Sequence, residues 1–266
     1  MESITTKGRY HLLTNIKAIL FDKDGTLMNF HSVWEKVMQE LIEQLSGYFP
    51  QREVIAKQLS EAIGFKANQV DANGILAGGT TKDIAEAFEA VIKDLGLQHV
   101  FPFPIFTWIS ETMLELTKKH IDEVTATTES LTELLAKLGK QGIILGVATA
   151  DDYPNTELCL EKLNIRNYFS FIATSDRFPQ KKPDPFILEV FCSAHQLRPE
   201  EVAVIGDTSV DLNLARNGKA GLAIGVLSGA SELHHLQPLA DFVIPTVADI
   251  LTVDNQWIWA ESNIAN

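Results

Sequence analysis

Two pairs of aspartates each follow a short apolar run directly. Asp22 and Asp24 lie in Asp22-Lys23-Asp24-Gly25-Thr26, and Asp207 and Asp211 in Gly206-Asp207-Thr208-Ser209-Val210-Asp211. The runs before them, residues 18–21 and 203–205, read as strands. Because strand side chains alternate, Asp22 and Asp24 emerge on the same side and Lys23 points the other way. Gly25 permits a tight turn, and paired carboxylates at a strand end suit a hard divalent cation held through oxygen. A lone Asp-Gly turn with solvated acids has the same local sequence; the second pair, delivered by a separate strand, favours one shared site. In open parallel sheets the ligand crevice lies at the carboxyl ends of the strands, so both pairs should converge there. A third apolar run, residues 143–148, ends at Thr149 and brings a hydroxyl and backbone N–H groups to the same edge. Lys181-Lys182-Pro183, after the run 171–174, can supply the positive charge.

These residues must be positioned by a larger frame. Runs at 16–21, 143–148, 171–174, 202–206, 221–226 and 242–244 alternate with helix-period segments, which indicates an α/β protein with a parallel sheet. The stretch between the first two runs is far longer than a crossover needs. It predicts an inserted, mostly helical domain at 31–125, with 1–30 and 126–266 forming the core. Inside the insertion, residues 33–45, 84–95 and 109–119 carry helical spacing, separated by Gly64, by 74–81 and by Pro102 and Pro104. After it, Leu131, Leu134, Leu135 and Leu138 form a helical stripe. Ser130 and Glu133 have capping-box spacing, and Gly139 and Gly142 are set to stop that helix.

At 266 residues and 45% hydrophobic content, the chain can bury a substantial core in one or two domains. A formal net charge of −13 argues against nucleic acid or an anionic membrane as partner, so any anionic substrate must meet local positive charge. No run resembles a signal peptide or a membrane span, which reads as a soluble, cytoplasmic protein. Cys159 and Cys192 sit in helix-like patterns without C-x-x-C or histidine partners at ligand spacing, and read as small buried hydrophobes.

Together, the Asp-x-Asp-Gly-Thr strand end, Thr149, Lys182-Pro183 and Gly-Asp-x-x-x-Asp resemble, in order and spacing, the four motifs of the haloacid dehalogenase superfamily. The insertion is similar to the helical cap of the subgroup that includes phosphoglycolate phosphatases and beta-phosphoglucomutase. The resemblance implies a doubly wound, Rossmann-like core with a cap. It implies Asp22 as the nucleophile forming an aspartyl phosphate, and Asp24 as the acid that protonates the leaving oxygen and then the base that activates water. It also implies Mg²⁺ held by Asp22, the backbone carbonyl of Asp24 and Asp207, with Asp211 as a ligand or an anchor. Thr149 and Lys182 would grip the phosphoryl oxygens. The expected activity is Mg-dependent hydrolysis of a small-molecule phosphate monoester, phosphoglycolate by default, by a monomer or homodimer. A phosphomutase is the rival reading. A phospho-accepting signalling module leaves Asp24 and the insertion unexplained, and intact Asp22, Asp24, Thr149, Lys182 and Asp207 oppose a binding protein without turnover.

The sequence departs from the family pattern in two places. Relatives often carry Asn after the Thr of the second motif, whereas Thr149-Ala150-Asp151 leaves only a backbone N–H at Ala150. Where relatives often read Val-Asp-Ser, this chain has Met28-Asn29-Phe30-His31. His31 and Trp34 are candidates to line the closed site, although packing of the first cap helix explains Trp34 equally. Gly78-Gly79-Thr80-Thr81, with Lys82, is the candidate substrate-selecting loop; the same residues read as a turn with a threonine N-cap. His234 and His235 should point in different directions at a solvated helix end, and Trp257 and Trp259 should pack the tail.

Overall fold

The computed structural model describes residues 15–66 and 69–260. In chain order, β1 (Ala18–Phe21) is followed by α1 (Phe30–Ser46), α2 (Arg52–Ala62), β2 (Phe65–Lys66) and β3 (Gln69–Val70). Helices α3 (Ile75–Gly78), α4 (Thr81–Asp94), α5 (Ile105–Lys119) and α6 (Leu131–Lys140) come next. The rest alternates: β4 (Ile144–Ala148), α7 (Tyr153–Lys162), β5 (Phe171–Ala173), α8 (Phe186–His195), β6 (Val202–Gly206), α9 (Ser209–Asn217), β7 (Leu222–Val226), α10 (Leu233–Leu236) and β8 (Phe242–Ile244).

Six strands form one parallel sheet in the order β5-β4-β1-β6-β7-β8. Alternation along each strand divides the core. Ile19, Phe21, Ala203 and Ile205 face the cluster that includes Leu135 and Leu138 of α6, whereas Ala18, Leu20, Val202 and Val204 face Leu188, Phe191 and Leu212 of α8 and α9. Burial on both faces is why these strands are continuously apolar. From β1 the chain proceeds to β4 and β5 on one side and returns to β6 on the other, so a crevice opens at the C-terminal end of β1.

Helices α1 to α5 lie between β1 and β4 and close around their own apolar cluster. Val37, Met38 and Leu41 of α1 meet Leu59 of α2, Phe88 of α4 and Ile109 of α5. Each fully buried Leu or Phe there contributes about 1.5–3 kcal/mol.

Several local expectations are corrected. Ser130 has φ −87 and ψ 10, not the extended backbone of a side-chain N-cap, and its hydroxyl lies 3.2 Å from that of Thr128, so no capping box forms with Glu133. Gly139 lies inside α6, and Gly142, at φ +79, follows its end. Helix α2 lacked a readable stripe because it buries only Ile55 and Leu59. Pro104 is the N-cap of α5, so that helix starts four residues before the apolar spacing suggests. His234 and His235 do not diverge; their rings sit 3.9 Å apart. Trp257 and Trp259 stack 4.6 Å apart, with Trp259 buried in the sheet cluster, and both cysteines are buried in helices. No helix among the described residues is long and apolar enough to cross a membrane.

Candidate active site

The end of β1 is pinned by the Asp22 N–H donating to the Ile205 carbonyl at 2.8 Å. Gly25 then turns the chain at φ +80, and a Cβ there would lie 2.5 Å from an oxygen of Asp207, so glycine is needed for both backbone and space. From β6, Asp207 enters beside Asp22 and accepts from the Ala230 N–H at 2.8 Å. Asp211, in the first turn of α9, accepts from the Thr208 N–H and hydroxyl at 3.1 and 2.6 Å through one oxygen. Its other oxygen lies 2.6 Å from the Lys182 ammonium, which also donates to Asp22 at 2.6 Å. Thr149 extends from β4, its N–H bound to the Ala173 carbonyl at 2.9 Å and its hydroxyl accepting from the Asp151 N–H at 3.1 Å.

Asp22, Asp207 and Asp211 present oxygens that all lie within 4.8 Å of one another. Burial raises the Asp22 carboxyl to about 7; Lys182 opposes that rise, while Asp211 and Asp24 add to it. Burial likewise raises Asp207 well above the carboxylate range, reinforced by Asp22 and Asp211. Burial works against the Lys182 charge, but Asp211 and Asp22 overcome it and raise its proton affinity. An oxygen-only donor set whose members repel one another in a buried place fits a hard divalent cation, which would offset that repulsion.

The Asp24 carboxylate stands apart from this trio. It accepts from the Lys23 ammonium at 2.8 Å and from the Trp34 indole N–H at 2.5 Å. Asp24 therefore remains in the expected metal set only through its main-chain carbonyl. Lys23 also corrects the alternation reading: its ammonium does not point away but reaches Asp24 and, at 3.2 Å, Asp151. The ammonium also lies 5.2 Å from the centre of the Trp34 ring. Burial raises Asp151 to about 7 against the pull of Lys23, with Asp24 and Asp152 adding to the rise.

One cavity gathers Asp22, Asp24, Thr149, Ala150, Lys182, Asp207 and Asp211 with Trp34 and Thr81 of the insertion. It does not include His31 or Thr80. His31 is half exposed and its Nδ1 pairs with Glu35 at 2.6 Å. Thr80 caps α4, its hydroxyl donating to Asp83 at 2.8 Å and accepting from the Asp83 N–H at 3.2 Å. Lys82 is exposed and faces Glu86 at 3.8 Å. Gly78 and Gly79 of the expected loop also line it, and so do Phe30, Met38, Leu76, Ile84 and Met113, which escaped sequence reading because their spacing is that of any buried helix face. Asp151 and Lys23 escaped it because their contact joins two strand ends distant in sequence.

The switch-point crevice of this α/β core thus holds two acids two residues apart, a buried ammonium and an oxygen-only carboxylate trio. The chain belongs to the haloacid dehalogenase-like hydrolases, whose family pattern matches residues 19–224. It is similar to a phosphoglycolate phosphatase of Vibrio vulnificus, 26% identical over 90% of this chain and 96% of that one. It is also similar to the pyrophosphatase PpaX of Anoxybacillus flavithermus, 24% identical over 90% of this chain and 97% of that one. Among solved structures, a predicted phosphoglycolate phosphatase from Haemophilus somnus superposes with a TM-score of 0.67 at 18% identity, covering 89% of this chain and 96% of that one. CbbY from Rhodobacter sphaeroides in complex with xylulose-(1,5)bisphosphate superposes at 0.64 with 22% identity, covering 90% and 98%. At these identities the structural likeness speaks for the fold.

Proposed function

We propose that the chain is a magnesium-dependent phosphatase acting on a small-molecule phosphate monoester, with the insertion at 31–125 serving as its cap. The observation that carries this reading is the Lys182 ammonium joining Asp22 to Asp211, with Asp207 completing the trio beside them. A carboxylate fixed there can attack phosphorus while Lys182 and the Thr149 hydroxyl hold the phosphoryl oxygens. In the first step the bond from an Asp22 oxygen to phosphorus forms as the bond to the leaving oxygen breaks, and Asp24 passes its proton to that oxygen. In the second, Asp24 takes a proton from water, the water oxygen attacks phosphorus, and Asp22 is released with inorganic phosphate. Mg²⁺ held by Asp22, Asp207 and Asp211 would supply positive charge that lets two anions approach. Trp34 and Lys23 hold the Asp24 carboxylate in one orientation, so the proton is delivered from a fixed point.

The names of the relatives put phosphoglycolate and pyrophosphate on the substrate panel. The test is acid-quench trapping with p-nitrophenyl phosphate and Mg²⁺. Phosphorylated protein and released phosphate, both absent from Asp22→Asn, are the expected result. Turnover without Asp22 would overturn the mechanism, and, with a sugar phosphate as substrate, isomerised sugar phosphate in place of free phosphate would make the protein a mutase.

A further inference from the structure

We infer that the group attached to the phosphate is short, uncharged and largely apolar, and that phosphoglycolate, pyrophosphate and sugar bisphosphates are poor substrates; the inference rests on the phosphatase reading above. Phe30 and, from the insertion, Trp34, Met38, Leu76, Ile84 and Met113 cover the phosphoryl site, and none of them carries a charge. Among the described residues that line the cavity, Lys182 is the single cation, and it is committed to Asp22 and Asp211, where the phosphoryl group must sit. Lys23 is buried and bound by Asp24 and Asp151. The other nearby lysines lie outside the lining: Lys181 is held by Asp83 at 2.5 Å, and Lys82 is three-quarters exposed.

A second anion would therefore meet apolar walls and the carboxylates of Asp24 and Asp151, with no partner of opposite sign. Burying an unpaired charge in such surroundings is strongly unfavourable. Two backbone donors of the loop before α4 are already engaged. The Gly79 N–H is bound to the Ile75 carbonyl at 2.7 Å and the Thr80 N–H to Asp83 at 2.8 Å. The Trp34 N–H is bound to Asp24. Thr81 is the hydroxyl that the insertion presents to the cavity, enough for one polar atom on the leaving group. The cavity volume is about 60 Å³, and the phosphoryl group shares it, so the space left beside the apolar wall is small. A small leaving group with one hydroxyl matches this lining in polarity.

The test compares kcat/KM of the full-length, Mg²⁺-loaded enzyme for 2-hydroxyethyl phosphate and phosphoglycolate, which are nearly equal in shape and differ in one charge. Propyl phosphate and pyrophosphate extend the comparison. The expected result is a preference for 2-hydroxyethyl phosphate of roughly 10²-fold or more, with pyrophosphate as poor as phosphoglycolate. Equal or better turnover of phosphoglycolate or pyrophosphate would overturn the inference while leaving the phosphatase reading intact. Failure to cleave any ester, p-nitrophenyl phosphate included, would instead remove the phosphatase reading. Leu76→Lys, which places an ammonium at the cavity wall, should move the preference toward phosphoglycolate by roughly tenfold or more. An unmoved ratio in the soluble variant would count against the inference, and the wild-type ratio decides by itself if the variant does not fold.

Discussion

The strand ends and the helices above them border the same cavity, yet one side is crowded with charge and the other has almost none. Below, Asp22, Asp207 and Asp211 crowd around one lysine; above, aromatic, aliphatic and methionine side chains close the space. On the reading proposed above, the lower side handles a phosphoryl group, whose charge is the same for every ester. The upper side meets what differs between esters, and packing surface can discriminate there only by size and polarity. Trp34 is the place where the two regions make polar contact within the cavity, through its indole N–H on Asp24.

The largest expected effect falls on the charged side. Asp22→Asn should lower phosphate release by roughly 10⁴-fold or more on every ester, since no other group at the strand ends can replace the nucleophile. Circular dichroism should show an unchanged fold, and activity near wild type would break the division between the two regions. Next, EDTA should abolish turnover and Mg²⁺ restore it, while Ca²⁺, with longer bonds and more ligands, inhibits. At about 100 times its Kd, Mg²⁺ should also raise the melting temperature by roughly 5–10 °C, and the rise should vanish in Asp207→Asn.

Asp24→Asn should slow turnover by roughly 10²-fold or more. The first step with p-nitrophenyl phosphate, whose leaving group needs little protonation, should suffer less than with an alkyl phosphate. Trp34→Phe keeps the ring and removes the N–H, so it tests the contact between the regions. We expect a fall in kcat of roughly tenfold for alkyl phosphates and a smaller one for p-nitrophenyl phosphate. Equal losses on both would mean that Trp34 only packs.

The smallest effect belongs to a carboxylate outside the cavity. Glu201 accepts from the Arg198 N–H at 2.9 Å and lies 2.7 Å from the Lys17 ammonium. The Arg198 backbone N–H first, then Lys17, lower its pKa to about 2. A depressed carboxylate contributes stability that is present above its unfolded value and lost as pH falls through about 2. Wild type should therefore melt slightly above Glu201→Gln near neutrality, and the gap should close across that acid range. Its shift is opposite in sign to that of Asp22 because burial dominates at Asp22, whereas hydrogen-bond donors dominate at Glu201.

The strands were legible because burial on both faces leaves continuous apolar runs, and the acids stand at their ends. Residues 16–21 and 221–226 were read one or two positions too long, although Lys17 still carries ladder hydrogen bonds to Glu201 and Ile144. The insertion was legible in outline and less so in detail. Its helices begin at caps, Asn29, Thr80 and Pro104, which lie four or five residues before the apolar spacing starts. Adjacent Thr80 and Thr81 looked alike in sequence, but a helix turns about 100° per residue, so one caps and the other faces the cavity.

By itself the sequence determined the parallel sheet, the strand ends that carry Asp22, Asp24, Thr149 and Asp207, and the presence of helices between β1 and β4. These follow from local pattern, since periodicity and turn residues act over a few positions. Only the tertiary structure decided where Lys23 turns, which Thr reaches the cavity, and that Lys182 lies on Asp22, 160 residues away in sequence. It also decided that the wall above the phosphoryl site carries no charge. An apolar helical stripe has the same sequence whether it meets a neighbouring helix or a ligand cavity, and packing alone selects between them.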